Sequence, residues 1–183
     1  SDGSDGDKGQ KGSTGAQGAG GSGGDKGQKG EPAAGTNGIV KQVQSTTNNS
    51  TASYTVVQNA YVTVSNFSVS ITPSSSSNKV LVLVDIGALG INYSRKVGAS
   101  LAVNGTRISA AKGTFASATA HPFQTYYEMP MSFSYLHSPG TTAQQTYSVQ
   151  INHSGGGSRQ MYFNQSDSTD GVCASTITAM EIA

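Results

Sequence analysis

Glycine occupies every third position from Gly3 to Gly30 without a miss: Gly3, Gly6, Gly9, Gly12, Gly15, Gly18, Gly21, Gly24, Gly27 and Gly30. Only glycine fits at the crowded axis where three polyproline-like strands meet, so an unbroken period of three demands three chains wound together. A flexible glycine-rich linker has no reason to keep phase for so long. The expected unit of function is therefore a homotrimer. At roughly 3 Å of rise per residue, the repeat would reach on the order of 80 Å, which makes it a spacer.

The phase fails after Gly30, because Ala33 stands where glycine is due and Gly35 and Gly38 lie in a shifted register. This sets the expected organisation: a collagen-like Gly-X-Y stalk over 1–35 and a C-terminal head over 36–183. The X and Y positions are polar or charged, and Pro32 is the stalk's only proline. Without many prolines to preset the dihedrals, such a triple helix is weak alone and needs a trimerising domain. The block Asp7-Lys8-Gly9-Gln10-Lys11-Gly12 returns as Asp25-Lys26-Gly27-Gln28-Lys29-Gly30, a duplicated cassette in which length matters more than sequence.

The head is long enough for one well-cored domain. It is poor in charge and rich in Ser, Thr, Asn and Gln, with short alternating apolar runs, the pattern of a β-protein with uncharged polar faces. A net charge of +1 lacks the field of a nucleic-acid binder, so no nucleic acid is expected as a partner. No apolar run approaches bilayer length, so no membrane insertion is expected. The opening Ser1-Asp2-Gly3 reads as a processed end or as part of something longer. Cys173 is the only cysteine, which excludes a disulfide within the chain and reads as a small buried hydrophobe in the last strand.

Strands are predicted at Ile39 to Gln44, Ser53 to Val57, Tyr61 to Ile71, Lys79 to Ile86, Val97 to Val103, Arg107 to Ser109, Phe123 to Leu136, Gln145 to Asn152, Gln160 to Asn164 and Ala174 to Ala183. Asn104-Gly105 is the strongest hairpin signal, Gly155-Gly156-Gly157 a mobile hairpin tip, and Ala110 to His121 a loop. Eight to ten short strands predict an all-β, jelly-roll-like sandwich. Val80-Leu81-Val82-Leu83-Val84 leaves no polar face for water, so both faces should be covered, one by the second sheet and one by neighbouring subunits. The same holds for the last strand. The expected trimer interface comprises Val80, Val82, Val84, Ile177, Met180 and Ile182.

A trimeric stalk feeding a β-head resembles the C1q and tumour-necrosis-factor-like jelly rolls. Four blocks, Phe67 to Ser74, Asn78 to Val82, Tyr135 to Gly140 with Thr146-Tyr147, and Ser175 to Ala183, are similar to C-terminal domains of phage tail-fibre and other virion fibre proteins. The head departs from animal C1q in lacking tryptophan and aromatic-rich strand motifs. The resemblance implies an extracellular virion fibre protein, of the tail or capsid, whose trimeric head registers the stalk, joins other virion proteins and binds a bacterial surface glycan or protein. The alternative is a purely structural trimeric appendage, or a bacterial collagen-like adhesin, without a specific receptor.

No nucleophile–base motif, zinc motif or phosphate-cradling loop appears, so no enzyme and no cofactor are expected. His121, His137 and His153 are too scattered for a local metal site, and Asp167 to Gly171 lacks the oxygen spacing of a calcium loop. Function on a β-frame resides in loops, and arginine and tyrosine suit glycans through planar hydrogen-bond forks and flat faces. The candidate receptor-binding set is Tyr93, Arg95, Lys96, Arg107, Lys112, Tyr126, Tyr127, His153 and Arg159, with the Asn152 to Arg159 loop favoured.

Overall fold

In a computed structural model, the structure describes residues 39–92, 96–108, 116–119, 126–165 and 173–183. The chain divides between Thr36 and Asn37, and all described residues fall in the second unit. The stalk lies outside the described residues. The described part is all β: β1 (Val40–Asn48), β2 (Ala52–Val57), β3 (Val62–Ile71), β4 (Lys79–Asn92), β5 (Lys96–Val103), β6 (Thr106–Arg107), β7 (Ala116–Thr119), β8 (Tyr126–His137), β9 (Gln145–His153), β10 (Ser158–Phe163) and β11 (Ser175–Ile182).

These strands form two antiparallel sheets. In the first, the long β4 carries β8 along one edge and shares the other between β11, at Lys79–Asp85, and β10, at Leu89–Ile91. β1 extends the sheet beyond β11, and β2 extends it beyond β10. The second sheet runs β3-β9-β5, with β6 and β7 on the far edge of β5. The chain therefore changes sheet between β2 and β3, β3 and β4, β4 and β5, β7 and β8, β8 and β9, and β9 and β10, and the sandwich closes with distant segments interleaved.

Alternation decides what each sheet buries. Val64, Phe67, Val69 and Ile71 of β3 and Tyr147, Val149 and Ile151 of β9 face Val80, Val82, Val84, Ile177, Ala179 and Phe163 of the first sheet across a single core. Phe67 and Phe163 join the layers with ring centroids 5.2 Å apart. Asn66, with φ of 56°, sits in the irregular stretch of β3 that shifts its register against β9.

The register corrects the predicted trimer interface. Val80, Val82, Val84 and Ile177 are inward residues, each no more than 2% exposed, covered by the chain's own second sheet. Their neighbours Leu81, Leu83, Met180 and Ile182 face outward. Met180 and Ile182 are half-buried on that outer face, whereas the other four belong to the core. Three smaller differences have clear causes. β1 runs on to Asn48 because it pairs with β11 along its whole length. β4 continues past Ile86 through a bulge, still paired to β8. The predicted loop from Ala110 contains β7, which pairs with β5.

Candidate functional site

The outer face of the first sheet is built in rows. Val43, Met180, Leu81 and Leu136 lie side by side across β1, β11, β4 and β8. Val43 is 51% exposed and Leu136 48%, so this row is an apolar stripe open to solvent in a single chain. One step along the strands come Ser45, Thr178, Leu83 and Ser134, and then Thr47, Thr176, Asp85 and Ser132. Leu83, Asp85, Ser132, Ser134, Thr176 and Thr178 line an open depression of about 540 Å³. Its polar groups are partly self-satisfied: Ser132 Oγ donates to Asp85 Oδ1 at 2.7 Å, and the Ser45 and Thr178 hydroxyls lie 2.9 Å apart. The face is thus apolar near the start of β1 and hydroxyl-rich beyond it.

Glu181 fixes the apolar end of that sheet from inside. It is fully buried and accepts hydrogen bonds from Gln42 Nε2 (2.6 Å), Ser74 N (2.6 Å), Ser74 Oγ (2.7 Å) and Asn78 Nδ2 (2.7 Å). Burial alone would push its carboxyl up, but the bonds from Asn78, Gln42 and Ser74 outweigh it and hold the pKa at about 2. The carboxylate ties the β3–β4 turn and β1 to the last strand. A second buried network spans the middle of the same sheet. Asn164 Nδ2 donates to Asn48 O at 2.7 Å, Ser175 Oγ donates to Asn164 Oδ1, and Gly87 N donates to Ser175 Oγ at 3.0 Å.

The chain enters at Ile39, whose carbonyl accepts from Ala183 N at 2.8 Å, beside the Lys79 end of β4. β4 ends at Asn92, paired with Tyr126, on the order of 40 Å away at about 3.3 Å per residue. The remote end collects the connections after β2 and β9 and the starts of β5 and β8, and with them part of the predicted binding set. Lys96 is exposed at the start of β5, and its carbonyl accepts from Ser154 N at 3.1 Å. Tyr126 and Tyr127 open β8, and Arg159, half-buried, lies opposite Val56 near the start of β10. Tyr93, Arg95 and Lys112 lie outside the described residues, as do His121 and the Asp167 to Gly171 segment.

Two members of the set are engaged by the chain's own residues. His153 is fully buried; its Nε2–H donates to Val56 O at 2.8 Å and its Nδ1 accepts from Gly155 N at 3.1 Å, which fixes the Nε2–H tautomer and removes the ring from any contact surface. The glycine segment after it is not a free hairpin tip. It links the two sheets, with Gln58 N donating to Gly157 O at 3.0 Å and Asn59 N to His153 O at 2.9 Å. Arg107 is half-buried, its guanidinium carbon 3.7 Å from the centroid of Tyr61. The preceding hairpin is as expected, with Asn104 (φ 49°) and Gly105 (φ 80°) both in the left-handed region.

Tyr147 and His137 pair with each other between the sheets. Tyr147 Oη and His137 Nδ1 share a hydrogen bond at 2.8 Å; burial lowers the His137 pKa and raises that of Tyr147, which favours the uncharged form of both. Cys173 is half-buried just before β11, and its N–H donates to Asn164 O at 3.2 Å. Among the described residues, no three His, Cys, Asp or Glu side chains lie together as metal ligands.

No protein-family model matches this chain, and no curated protein matches it. Among solved structures, it is similar to the structure of infectious bursal disease virus Gx strain, with a TM-score of 0.41 and 15% identity over 77% of this chain and 32% of that one. The Gt strain structure of the same virus gives a TM-score of 0.36 and 16% identity over 78% and 38%. The chain spans about a third of the length of those chains.

Proposed function

We infer that this chain is a homotrimeric fibre protein of a virion, in which a collagen-like stalk carries a jelly-roll-like head that registers the three chains and meets a bacterial surface. The observation that carries this reading is a continuity. A glycine period that calls for three chains leads, nine residues after Gly30, into Ile39 and Val40. These residues open the strand that contributes Val43 to the uncovered apolar row of Met180, Leu81 and Leu136. Three chains gathered by the repeat bring three such faces together at the point where each has apolar side chains to bury. The strand order β1-β11-β4-β8 against β3-β9-β5-β7 supports the jelly-roll reading.

The same geometry favours the remote end for attachment, since Lys96, Arg159 and the backbones of Tyr126 and Tyr127 lie opposite the point of entry. The reading is of a binding protein rather than an enzyme. The test is sedimentation equilibrium of the full chain with, in parallel, binding of the labelled chain to candidate bacterial cells. A mass three times that of the chain and saturable cell binding are expected. A monomer overturns the assembly, and a trimer that binds no cells leaves the purely structural appendage.

A further inference from the structure

On the outer face of the second sheet, three buried polar atoms have no hydrogen-bond partner: Ser100 Oγ, Asn152 Oδ1 and Arg107 Nη1. Register places them on one diagonal. Arg107 of β6 is opposite Ala102, Ser100 is two residues back along β5, and Asn152 of β9 is opposite Gly98, two residues further. Val97, Ala99 and Leu101 fill the core, so Gly98, Ser100 and Ala102 point the other way. Tyr61 precedes the Val62–Ile151 pair, which puts it beside Asn152 at the end of the diagonal. The contact of the Arg107 guanidinium with the Tyr61 ring, at 3.7 Å, then requires the two side chains to reach towards each other across Ser100 and Asn152.

Buried polar groups are ordinarily satisfied, and a cluster of exceptions calls for a missing partner. The guanidinium can only donate, the amide oxygen can only accept, and the hydroxyl can do either. A carboxylate or phosphate would meet Arg107 and Ser100 but would set its lone pairs against Asn152 Oδ1. A cation would meet Asn152 and be repelled by Arg107. A hydroxyl group satisfies all three, because it accepts from Arg107 while donating to Asn152, with Ser100 completing either role. A flat aromatic face beside it suits the apolar face of a sugar ring.

We propose that the Arg107–Ser100–Asn152 diagonal is a subsite for a hydroxyl of a neutral sugar, with Tyr61 as the adjoining platform, which opens when the Arg107 side chain swings off the ring. The inference rests on the attachment reading above and names the ligand class for one part of it. In the absence of ligand the same three groups suit one ordered water.

The full chain is titrated with glucose, galactose and mannose at millimolar concentrations and followed by ligand-observed NMR, with Ser100→Ala, Asn152→Ala and Arg107→Lys in parallel. At least one hexose binds the wild type, and each variant weakens it about five- to tenfold, the effect of one lost buried hydrogen bond. Ser100→Ala keeps the melting temperature, since it removes a hydroxyl that has no protein partner. Binding of none of the three hexoses, equal binding by all three variants, or a hexose-soaked crystal with only water on the diagonal each overturns the proposal. Cell binding that survives Arg107→Lys while hexose binding is lost would refute this subsite's part in attachment and leave the fibre reading intact. Hexose binding without any cell binding would refute the attachment reading and leave the subsite intact.

Discussion

Leu136→Asp should separate assembly from folding. Leu136 is 48% exposed in the single chain and is the last member of the apolar row on the outer face of the first sheet. Fully burying a leucine contributes about 1.5–3 kcal/mol, so covering the exposed half contributes about 1 kcal/mol per copy, or roughly 3 kcal/mol per trimer. A carboxylate in its place must also be desolvated beside two like charges, which raises the cost further. Since 1.4 kcal/mol is about a factor of ten, the trimer equilibrium should weaken by at least roughly 100-fold. The fold should be nearly unaffected, because exposed substitutions usually fall within about 0.5 kcal/mol. Sedimentation velocity at micromolar concentration should show the mutant shifted towards monomer with unchanged circular dichroism. Val82→Ala is the control: Val82 is fully buried against the second sheet, and its loss should lower the melting temperature, on the order of 2 kcal/mol, without first dissociating the trimer. A Leu136→Asp protein that remains trimeric at the wild-type concentration dependence would refute assignment of this face.

Truncation before Ser175 removes the strand between β1 and β4, with Ile177 and Ala179 from the core. The product should be insoluble or lack a cooperative melting transition, and a soluble, cooperatively melting protein would show β11 to be peripheral. Glu181 is held at about 2 in the folded chain against an ordinary 4.5, so its contribution is complete above about 4.5 and lost as pH falls through about 2. Melting temperatures measured across that window should drop for the wild type, and Glu181→Gln, already short of a carboxylate, should be less stable at neutral pH by about 1–3 kcal/mol and flatter with acid. Gly87→Ala would drive a Cβ into the backbone oxygen of Ala174 and towards Cys173; a loss of about 1–3 kcal/mol in denaturant unfolding is expected, and wild-type stability would mean that the β10–β11 connection yields freely.

The strands were legible in the sequence because alternation and turn chemistry are local. Asn104-Gly105 announced its hairpin, and Tyr61 to Ile71 displayed its alternating pattern before any partner was known. Which side of an apolar run faces inward is a different kind of quantity. In Val80-Leu81-Val82-Leu83-Val84 every residue is apolar, so hydropathy carries no parity. The inward choice of the valines follows from register with β8 and β11, which is set by segments about 50 and about 100 residues away respectively. The same ignorance made His153 look like a loop histidine, although strand parity puts it with Tyr147, Val149 and Ile151 on the buried face, where Val56 O and Gly155 N occupy both its nitrogens. Parity was readable in β9, where Ser148, Gln150 and Asn152 mark the outer side, and continuing it one step reaches His153. Polar residues on the solvent side of a strand thus identify its core face more securely than the apolar residues themselves. On this chain, that rule picks out Ser132 and Ser134 of β8 and Thr176 and Thr178 of β11, and so locates the outer face on which Leu81, Leu83, Leu136 and Met180 await cover.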